Sequence, residues 1–590
     1  MIANLVTALA LAGAGVSAAP TLVGNLLCRV GNLCSPSAVE LPTVDLGYAV
    51  HEATFNDTGR YYNFSNIRYG DAPVRNLRFG APVAPTSLRR KVNKGQKGSV
   101  CPQATPYWPA IAGQFLAGAN SSTLEAANSL LQLGKDSLTI ESMGHSSPPD
   151  PRQSEDCLFL DVVVPQEIFD QKRSAPVLVW VHGGGFVNGD KTSAGNPASL
   201  IAQSQLDEGE GVIFVAMNYR LGLFGFLSGS KFHEQGGVSN AGLLDQRLAF
   251  EWVQKNIFLF GGDPERITVM GESAGGSSIM HHITAYGGNK GPVPFSQAIM
   301  QSPGFNPIAG DAQQVAIFDS VVAQARALIS PELSDLRSFG MISSPVLAAL
   351  NQIVVARSAP YGTFTFGPTV DGTYVPELPA ALLQKGAYDG NVKIMVSHNS
   401  AEGLFFASPL ISTEAQLAKY VRETIPTADN ATVRQLLHDV YPPVYDGSYG
   451  YRNSLGRLSL LLEEVSFTCN TRYLNLAFRN EGYAYYFQVP PGLHGADISY
   501  TFFNGDTTPL IPGGLPVQPK IATAMQRYIT NFVMSPRGDP NGRNLPFFPK
   551  YQSNSTNLVI DAEKVGALMT DTTANERCSW LLQNLFLKKS

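Results

Sequence analysis

Residues 267–276 read ITVMGESAGG, an apolar strand-like run that passes directly into a G-x-S-x-G pattern. Residues 277–283 are compatible with a helix, so the pattern stands between a predicted strand and a predicted helix. A tight turn in this setting exposes the hydroxyl of its serine. Gly271 and Gly275 suit that turn because side chains two residues on either side of Ser273 would collide across it. The stretch therefore predicts Ser273 as a nucleophile in an α/β fold.

The segments around this stretch predict a parallel sheet with helices on both faces. Apolar runs at 177–181 and 212–216 lack the polar alternation of a half-exposed strand, which indicates strands that are buried on both sides. Apolar residues recur at helical spacing over 243–257. Further strand-like runs, each followed by a polar or glycine-containing loop, stand at 392–396 and 483–489. This alternation predicts an α/β protein with inserted helices.

The composition excludes several classes of protein. The 590 residues include 42 Lys plus Arg and 47 Asp plus Glu, for a net charge of −5 with no long run of one sign, which argues against nucleic acid as a partner. Hydrophobic residues make up 44% of the chain, enough for a large core. No segment beyond the N-terminus has the ~18 consecutive apolar residues that cross a membrane. Without repeats or a linker, residues 20–590 are predicted to form a single domain.

A second glycine-rich loop, His182-Gly183-Gly184-Gly185-Phe186, directly follows the predicted strand at 177–181. Loops of this kind offer backbone N–H groups to an oxyanion, and glycine lets the main chain approach the substrate. Phosphate-binding alternatives fail by one residue each. A P-loop needs Lys where Asp190 stands, and a dinucleotide loop needs Gly where Asn188 stands.

A serine nucleophile needs a base and an acid that orients the base. His494 is the predicted base, because it lies in a Gly-flanked loop directly after the strand-like run at 483–489. Glu402 follows the strand at 392–396 and is the predicted acid. The chain order is then Ser, acid, His, which is the order expected when a G-x-S-x-G turn on a parallel α/β sheet carries the nucleophile. His398 is the alternative base. The remaining candidates are discounted because they lie in the oxyanion loop or in helical stretches: His182, His281, His282 and His438.

The N-terminus predicts secretion. Residues 1–19 read as a cleaved signal peptide, with an apolar stretch that ends in small residues, although no Lys or Arg precedes it. Six cysteines, an even number, allow up to three disulfides in a secreted chain. They are Cys28, Cys34, Cys101, Cys157, Cys469 and Cys578. Five Asn-x-Ser/Thr sequons agree with a secretory route and are candidate glycosylation sites: Asn56, Asn63, Asn120, Asn430 and Asn554.

These motifs together resemble the type-B carboxylesterase/lipase family, which includes fungal secreted esterases and lipases and the cholinesterases. Residues 154–162, SEDCLFLDV, are similar to one family signature, with Asp161 where Asn is usual. The segment from Phe260 through GESAGG at 271–276 is similar to the serine active-site signature. The resemblance covers most of the mature chain and implies the α/β-hydrolase fold, with a mostly parallel central sheet, flanking helices and helical cap insertions.

The resemblance also implies particular bonds and roles. It pairs Cys101 with Cys157 and Cys469 with Cys578, and leaves Cys28 with Cys34 as a local bridge. It implies an oxyanion hole from the backbone amides of Gly184, Gly185 and Ala274. Ser302 matches a position that forms a hydrogen bond near the catalytic histidine in relatives, although Pro303 replaces the usual Gly.

In the family, the loop that the Cys101–Cys157 bridge closes covers the gorge, and in the lipases it acts as a lid. The sequence predicts a helix inside it, with Ser122 and Glu125 as a capping box and Gly134 as its end. Its predicted apolar face consists of Leu124, Ala127, Leu130 and Leu131. A mobile lid and a packed cover both predict this pattern, so both remain open.

The sequence as a whole predicts a secreted serine hydrolase of carboxylic esters that needs no metal or other cofactor. Its partner is a small-molecule or lipid ester, with contact to a lipid interface if the loop is a lid. The alternatives are a triacylglycerol lipase, a pathway-specific esterase of secondary metabolism, and a binding module that keeps the fold without catalysis. A cholinesterase is less favoured, since Trp108 is the one candidate aromatic for a quaternary ammonium.

Overall fold

The computed structural model describes residues 41–587 except 97, 147–149, 208, 309 and 510–513. The predicted signal peptide, Cys28 and Cys34 lie outside the described residues. Strands, numbered along the chain, are β1 (Thr43–Asp45), β2 (Ala49–Glu52), β3 (Thr54–Asn56), β4 (Tyr61–Arg68), β5 (Arg89–Asn93), β6 (Phe159–Pro165), β7 (Ala175–Val181), β8 (Ile213–Met217), β9 (Gly262–Glu272), β10 (Gln297–Gln301), β11 (Lys393–Asn399), β12 (Tyr483–Phe487), β13 (Thr556–Ile560) and β14 (Val565–Thr570).

Helices surround these strands. They are α1 (Trp108–Leu116), α2 (Ser121–Asp136), α3 (Ile140–Ser146), α4 (Gln166–Gln171), α5 (Ala198–Gln203), α6 (Gly222–Phe226), α7 (Ser230–Glu234), α8 (Ala241–Asn256), α9 (Ala274–Ile283), α10 (Asp311–Leu328), α11 (Leu336–Gly340), α12 (Ser344–Ser358), α13 (Pro379–Gln384), α14 (Glu414–Thr424), α15 (Asn430–Gln435), α16 (Ser454–Glu463), α17 (Cys469–Ala477), α18 (Ile498–Thr501), α19 (Pro519–Met534) and α20 (Glu576–Leu581). Short π-helical turns occupy Leu436–Val440, Glu464–Thr468 and Leu582–Phe586.

The central sheet has eleven strands in the order β14-β13-β12-β11-β10-β9-β7-β8-β6-β4-β3. Every pairing from β8 to β13 is parallel, and the pairings at both ends of the sheet are antiparallel. The carboxyl ends of β7, β9, β11 and β12 therefore point to the same edge of the sheet, and the loops that follow them meet there. The mostly parallel sheet of the predicted α/β-hydrolase fold is confirmed.

The buried strands form the centre of two apolar layers. All seven residues of β7 are buried. Val177, Val179 and Val181 pack into the larger cluster on one face, whereas Leu178 and Trp180 pack into the cluster on the other. This alternation follows from the period of two in a strand, and it explains why β7 carries no polar residue. The rigid sheet fixes where the loops at its edge begin.

The loop closed by the disulfide between Cys101 and Cys157 departs from its predicted details. The capping box of Ser122 and Glu125 is wrong: α2 begins at Ser121, and the Oδ1 of Asn120 accepts from the N–H of Thr123 at 3.0 Å. Gly134 does not end the helix, which continues to Asp136.

The predicted apolar face of α2 is also narrower than expected. Leu124 is buried and Ala127 and Leu131 pack partly against the core, but Leu130 is 56% exposed. In the part of the chain that the structure describes, no helix combines the length and apolarity needed to cross a bilayer.

Candidate active site

Ser273 stands at the sharp turn between β9 and α9. Its backbone has φ 57° and ψ −121°, a conformation that a non-glycine residue rarely adopts and that is typical of strained functional turns. A Cβ on Gly271 would lie 2.6 Å from the carbonyl carbon of Gly275, and a Cβ on Gly275 would lie 2.0 Å from the oxygen of Val181. The glycines are thus needed for space, as the sequence predicts.

Ser273, His494 and Glu402 form a chain of hydrogen bonds. The Nε2 atom of His494 lies 2.8 Å from the Oγ of Ser273, and its Nδ1 lies 2.5 Å from Oε2 of Glu402. The three residues come from the ends of β9, β12 and β11, which the sheet order brings to one edge. Such a chain can move a proton from the serine hydroxyl to the imidazole while the carboxylate fixes the tautomer.

Glu402 is held by donors on both sides. Its Oε1 accepts from the backbone N–H of Asn399 at 2.5 Å and from the hydroxyl of Ser302 at 2.6 Å. Burial acts to raise the pKa of Glu402, but His494 and these hydrogen bonds outweigh it and hold the pKa below its usual value. The resemblance suggested a hydrogen bond of Ser302 near the histidine, and the bond goes to the acid. Ser302 thereby helps keep Glu402 charged.

Asn399 links the acid loop to the histidine loop. Besides its N–H bond to Glu402, its side-chain Nδ2 donates to the carbonyl oxygen of Leu493 at 2.8 Å, next to His494. Asp497 lies in the same network, and burial raises its pKa to about 6. Sequence reasoning missed both residues. Asn399 is the last residue of β11 and lies beyond the predicted strand at 392–396, and nothing local signals its contact 94 positions away.

Glu272 is a second carboxylate beside the imidazole, and sequence reasoning missed it although it lies inside the GESAGG motif. Its Oε1 is 3.3 Å from Nε2 of His494 and has no hydrogen-bond partner among the described residues. Burial raises the pKa of Glu272 to about 8, with His494 opposing the rise and Asp497 and Glu402 adding to it. Burial lowers the pKa of His494, but Glu272 and Glu402 outweigh burial and raise it to about 9.

The glycine loop after β7 lies against the serine. A Cβ on Gly183 would be 3.1 Å from the Cβ of Ser273. Gly184 and Gly185 have φ of 104° and 60°, and a Cβ on Gly184 would be 2.2 Å from the oxygen of Asn188. In the described part of the chain, the N–H groups of Gly184, Gly185 and Ala274 donate to no protein acceptor. These N–H groups are therefore available to an oxyanion.

An open pocket begins at Ser273. Seven aromatic side chains line it: Phe186, Phe305, Phe364, Phe366, Phe406, Tyr420 and Phe467. Trp108, the candidate aromatic for a quaternary ammonium, is fully buried behind this wall, where it packs on Phe364 and Phe406 and its indole N–H donates to the oxygen of Thr363. None of the residues described as lining the pocket carries a charge.

The alternative histidines have other partners. The Nε2 atom of His398 lies 3.5 Å from Oδ1 of Asp571, and the ring of His182 stacks on Tyr219. His281 Nδ1 bonds to the carbonyl oxygen of Ser277, and His282 lies between Gln246 and the hydroxyl of Tyr374. His438 lies in a π-helical turn. Among the described residues, His494 is the histidine that reaches Ser273.

The covalent predictions fall into two groups. Both long-range disulfides that the resemblance implies, Cys101–Cys157 and Cys469–Cys578, are present. Four sequon asparagines are exposed: Asn56, Asn120, Asn430 and Asn554. Asn63 is partly buried on β4 and accepts a hydrogen bond from Ser65, which makes it the least accessible of the five.

No cluster of His, Cys, Asp and Glu suited to a metal ion occurs among the described residues.

Comparisons with known proteins agree with this geometry. A sequence model of the carboxylesterase family matches residues 49–581. The chain is 40% identical over 558 residues to Carboxylesterase patB of Aspergillus clavatus (92% of this chain, 96% of that protein) and 33% identical over 427 residues to Lipase 4 of Diutina rugosa (70% and 73%). The crystal structure of Aspergillus niger EstA shares the fold, with a TM-score of 0.72 at 22% identity over 92% of this chain and 99% of that one. The chain thus belongs to the carboxylesterase family and is a carboxylic ester hydrolase.

Proposed function

We propose that the chain is a secreted serine carboxylesterase that works through an acyl-enzyme on Ser273. The observation that carries the proposal is the chain of hydrogen bonds from Ser273 through His494 to Glu402 at the mouth of an apolar pocket. Nε2 of His494 takes the serine proton as Oγ attacks the ester carbonyl carbon. The tetrahedral intermediate then expels the alcohol, which receives that proton, and the acyl group stays on Ser273.

Hydrolysis of the acyl-enzyme uses the same groups. His494 takes a proton from water, the resulting hydroxide attacks the acyl carbonyl, and the acid leaves as Oγ of Ser273 regains a proton. In both halves the carbonyl oxygen becomes negative. The free N–H groups of Gly184, Gly185 and Ala274 support their proposed role as the oxyanion hole, since they need no reorganisation when the charge appears.

The pocket supports a neutral, carbon-rich substrate. Its aromatic lining favours apolar groups, and a charged substituent would lose its hydration without finding a countercharge among the lining residues. Thr363, Thr424 and Ser466 add a few hydroxyl groups to the lining. We therefore infer that the enzyme takes esters of uncharged acids and alcohols.

Secretion of a single domain over residues 20–590 remains part of the proposal. The signal-like residues 1–19, the two disulfides and the exposed sequons support it. A reducing compartment would convert these disulfides to free thiols. We therefore expect the protein to reside in an oxidising compartment.

A triacylglycerol lipase is the second candidate. The exposed Leu130 and Leu133 on α2 favour it, because apolar residues on a lid contact lipid at an interface. Against it, the same loop is anchored by the buried Trp108, Ile111 and Leu124. The structure of the loop thus favours a packed cover and a carboxylesterase.

The test is hydrolysis of p-nitrophenyl esters of increasing acyl length by the secreted protein and by Ser273→Ala. We expect an initial burst of p-nitrophenol from the native chain and a loss of kcat of about 10³-fold or more in the variant, because the acyl-enzyme cannot form without the serine oxygen. Ser412→Ala, a change at an exposed serine, serves as the control. Activity of Ser273→Ala at the native level would reject the mechanism.

A further inference from the structure

The π-helical turn Glu464–Thr468 reaches into the pocket between α16 and α17. π-helical turns are rare and occur often at functional sites, because the extra residue in the turn redirects the side chains around it. Three consecutive residues of this turn line the pocket: Val465, Ser466 and Phe467. The turn is not needed for the hydrogen bonds described above, so its contacts call for a separate explanation.

Phe467 lies directly against the imidazole of His494. The ring centroids are 4.4 Å apart at an interplanar angle of 46°. Phe406 contacts the same imidazole at 5.2 Å and 70°, and it also packs on Phe467 at 4.9 Å. The two phenylalanines therefore restrict how far the imidazole can tilt, which its two hydrogen bonds alone would not do.

Gly304 provides the space for Phe467. A Cβ on Gly304 would lie 2.1 Å from Cε1 and 2.3 Å from Cδ1 of Phe467, far inside van der Waals contact. The backbone of Gly304 is not in the left-handed region, so alanine could adopt it without strain. The residue is therefore glycine to make room for the ring.

The segments that carry Phe467 and Gly304 are tied together. The Nδ2 atom of Asn470 donates to the carbonyl oxygen of Pro303 at 2.9 Å. The N–H of Gly304 donates to the carbonyl oxygen of Ser273 at 3.1 Å, which connects this contact to the nucleophile itself. Phe467, Gly304, Ser273 and His494 thus form one packed unit.

We propose that Phe467 is a positioning residue for the imidazole of His494, and that it depends on the absence of a side chain at Gly304. This inference rests on the proposed function, because it concerns the base of that reaction. Phe467 holds the ring plane so that Nε2 points at the serine oxygen and then at the leaving alcohol. It also forms one wall of the pocket, but positioning predicts an effect on kcat, whereas a wall alone predicts an effect on KM.

The test is steady-state kinetics with p-nitrophenyl butyrate on Phe467→Leu and Phe467→Tyr. The leucine removes the aromatic ring and the tyrosine retains it. We expect kcat to fall about tenfold in Phe467→Leu with KM within about twofold of native, because a small misalignment of a catalytic group lowers the rate without weakening binding. In Phe467→Tyr, which keeps the ring, we expect kcat to stay close to the native value. Phe250→Leu is the matched control, because Phe250 is also buried and packs on a histidine, His282, at 5.0 Å outside this unit.

A double-mutant cycle tests the role of Gly304. Gly304→Ala alone should lower kcat as Phe467→Leu does, since the new methyl group displaces the ring. In a Phe467→Ala chain the same change should have little further effect, because nothing remains to be displaced. If Phe467→Ala does not fold, the kcat of Gly304→Ala alone decides, with circular dichroism as the measure of folding.

Native kcat in Phe467→Leu, or a loss in Gly304→Ala that is equally large without the ring of Phe467, would overturn the proposal. The amplitude of the p-nitrophenol burst separates this result from a failure of the proposed function. An unchanged amplitude with a slower rate means that Ser273 still acts as the nucleophile with a misaligned base. A native chain that shows no burst and is insensitive to Ser273→Ala would instead reject the proposed function.

Discussion

At the scale of single residues, two buried carboxylates flank one imidazole, and their pKa values are shifted in opposite directions. Glu402 accepts three hydrogen bonds, from His494, Asn399 and Ser302, and hydrogen bonds to the charged form lower a pKa. Glu272 is also buried but lacks such donors at Oε1, so burial raises its pKa. At neutral pH we expect Glu402 to be charged, whereas Glu272 and the imidazole of His494 lie 3.3 Å apart and titrate as a coupled pair, in which each ionised group favours ionisation of the other.

Glu272→Gln should extend activity to lower pH. A carboxylate 3.3 Å from Nε2 stabilises the imidazolium and raises the pKa of His494, whereas an amide carries no charge. The imidazole must be neutral to accept the serine proton, so a lower pKa moves the acid limb of kcat/KM to lower pH. The measurement is kcat/KM for p-nitrophenyl butyrate as a function of pH.

Glu265→Gln is the control for this prediction, because Glu265 lies on the same strand, β9, but is exposed. Its pH profile should match that of the native chain. An acid limb of Glu272→Gln that stays in place or moves to higher pH would contradict the electrostatic role of Glu272.

At the scale of elements, α1 and α2, which lie in the Cys101–Cys157 loop proposed as a cover, are fixed to the body of the protein at both ends. α1 inserts the fully buried Trp108 behind the pocket wall. At the other end of the cover, the guanidinium of Arg357 on α12 donates to the carbonyl oxygens of Lys135, Asp136 and Leu138, where α2 ends. These bonds satisfy carbonyl groups that a helix leaves free at its C-terminus. The buried Trp108 and the bonds from Arg357 therefore anchor both ends of this segment.

We therefore expect no interfacial activation. The rate on emulsified tributyrin, followed by acid release, should rise smoothly through the solubility limit of the substrate, since opening the cover would expose Trp108. A jump in rate at that limit would instead identify the loop as a lipase lid.

Arg357→Ala should free the end of α2 and accelerate tryptic cleavage after Lys135, while a change at the exposed Arg326 should leave the cleavage rate unchanged.

At the scale of the whole molecule, the sheet order assembles the site and a disulfide fixes one side of it. Cys469 begins α17, two residues after Phe467, and its bridge to Cys578 on α20 closes 109 positions of chain. The bridge thus ties the C-terminal helix to the π-helical turn beside the pocket.

The double variant Cys469→Ser/Cys578→Ser should lose about 2–5 kcal/mol of unfolding free energy, because the cross-link restricts the unfolded chain. The Cys101–Cys157 bridge closes a shorter segment of 56 positions. For Cys101→Ser/Cys157→Ser, the chain-entropy argument therefore predicts a loss of unfolding free energy that is smaller by only about 0.6 kcal/mol. The measurement is the thermal midpoint of each variant by circular dichroism. A midpoint equal to that of the native chain would show that the bridge adds no stability.

The sequence by itself determined the features that depend on neighbours along the chain. Apolar runs identify β7 and β8, and the strand-like run before GESAGG identifies the end of β9, because burial on both faces excludes polar residues. The glycines around Ser273 follow from the crowding of that one turn. Glu402 and His494 could be named as candidates because each follows a recognisable strand. Local patterns failed at α2, where Asn120 rather than Ser122 caps the helix, since several residues in a row can act as caps.

Only the tertiary structure decided which groups surround the imidazole. The partners of His494 lie 92 and 221 positions away, and the order of β9, β11 and β12 in the sheet determines that they meet. Four further residues join the site through contacts of the same kind: Glu272, Asn399, Asp497 and Phe467. No periodicity or spacing in the sequence predicts these contacts. The physical reason is that a parallel sheet collects the carboxyl ends of strands that are remote in sequence, so the environment of each side chain depends on strand order.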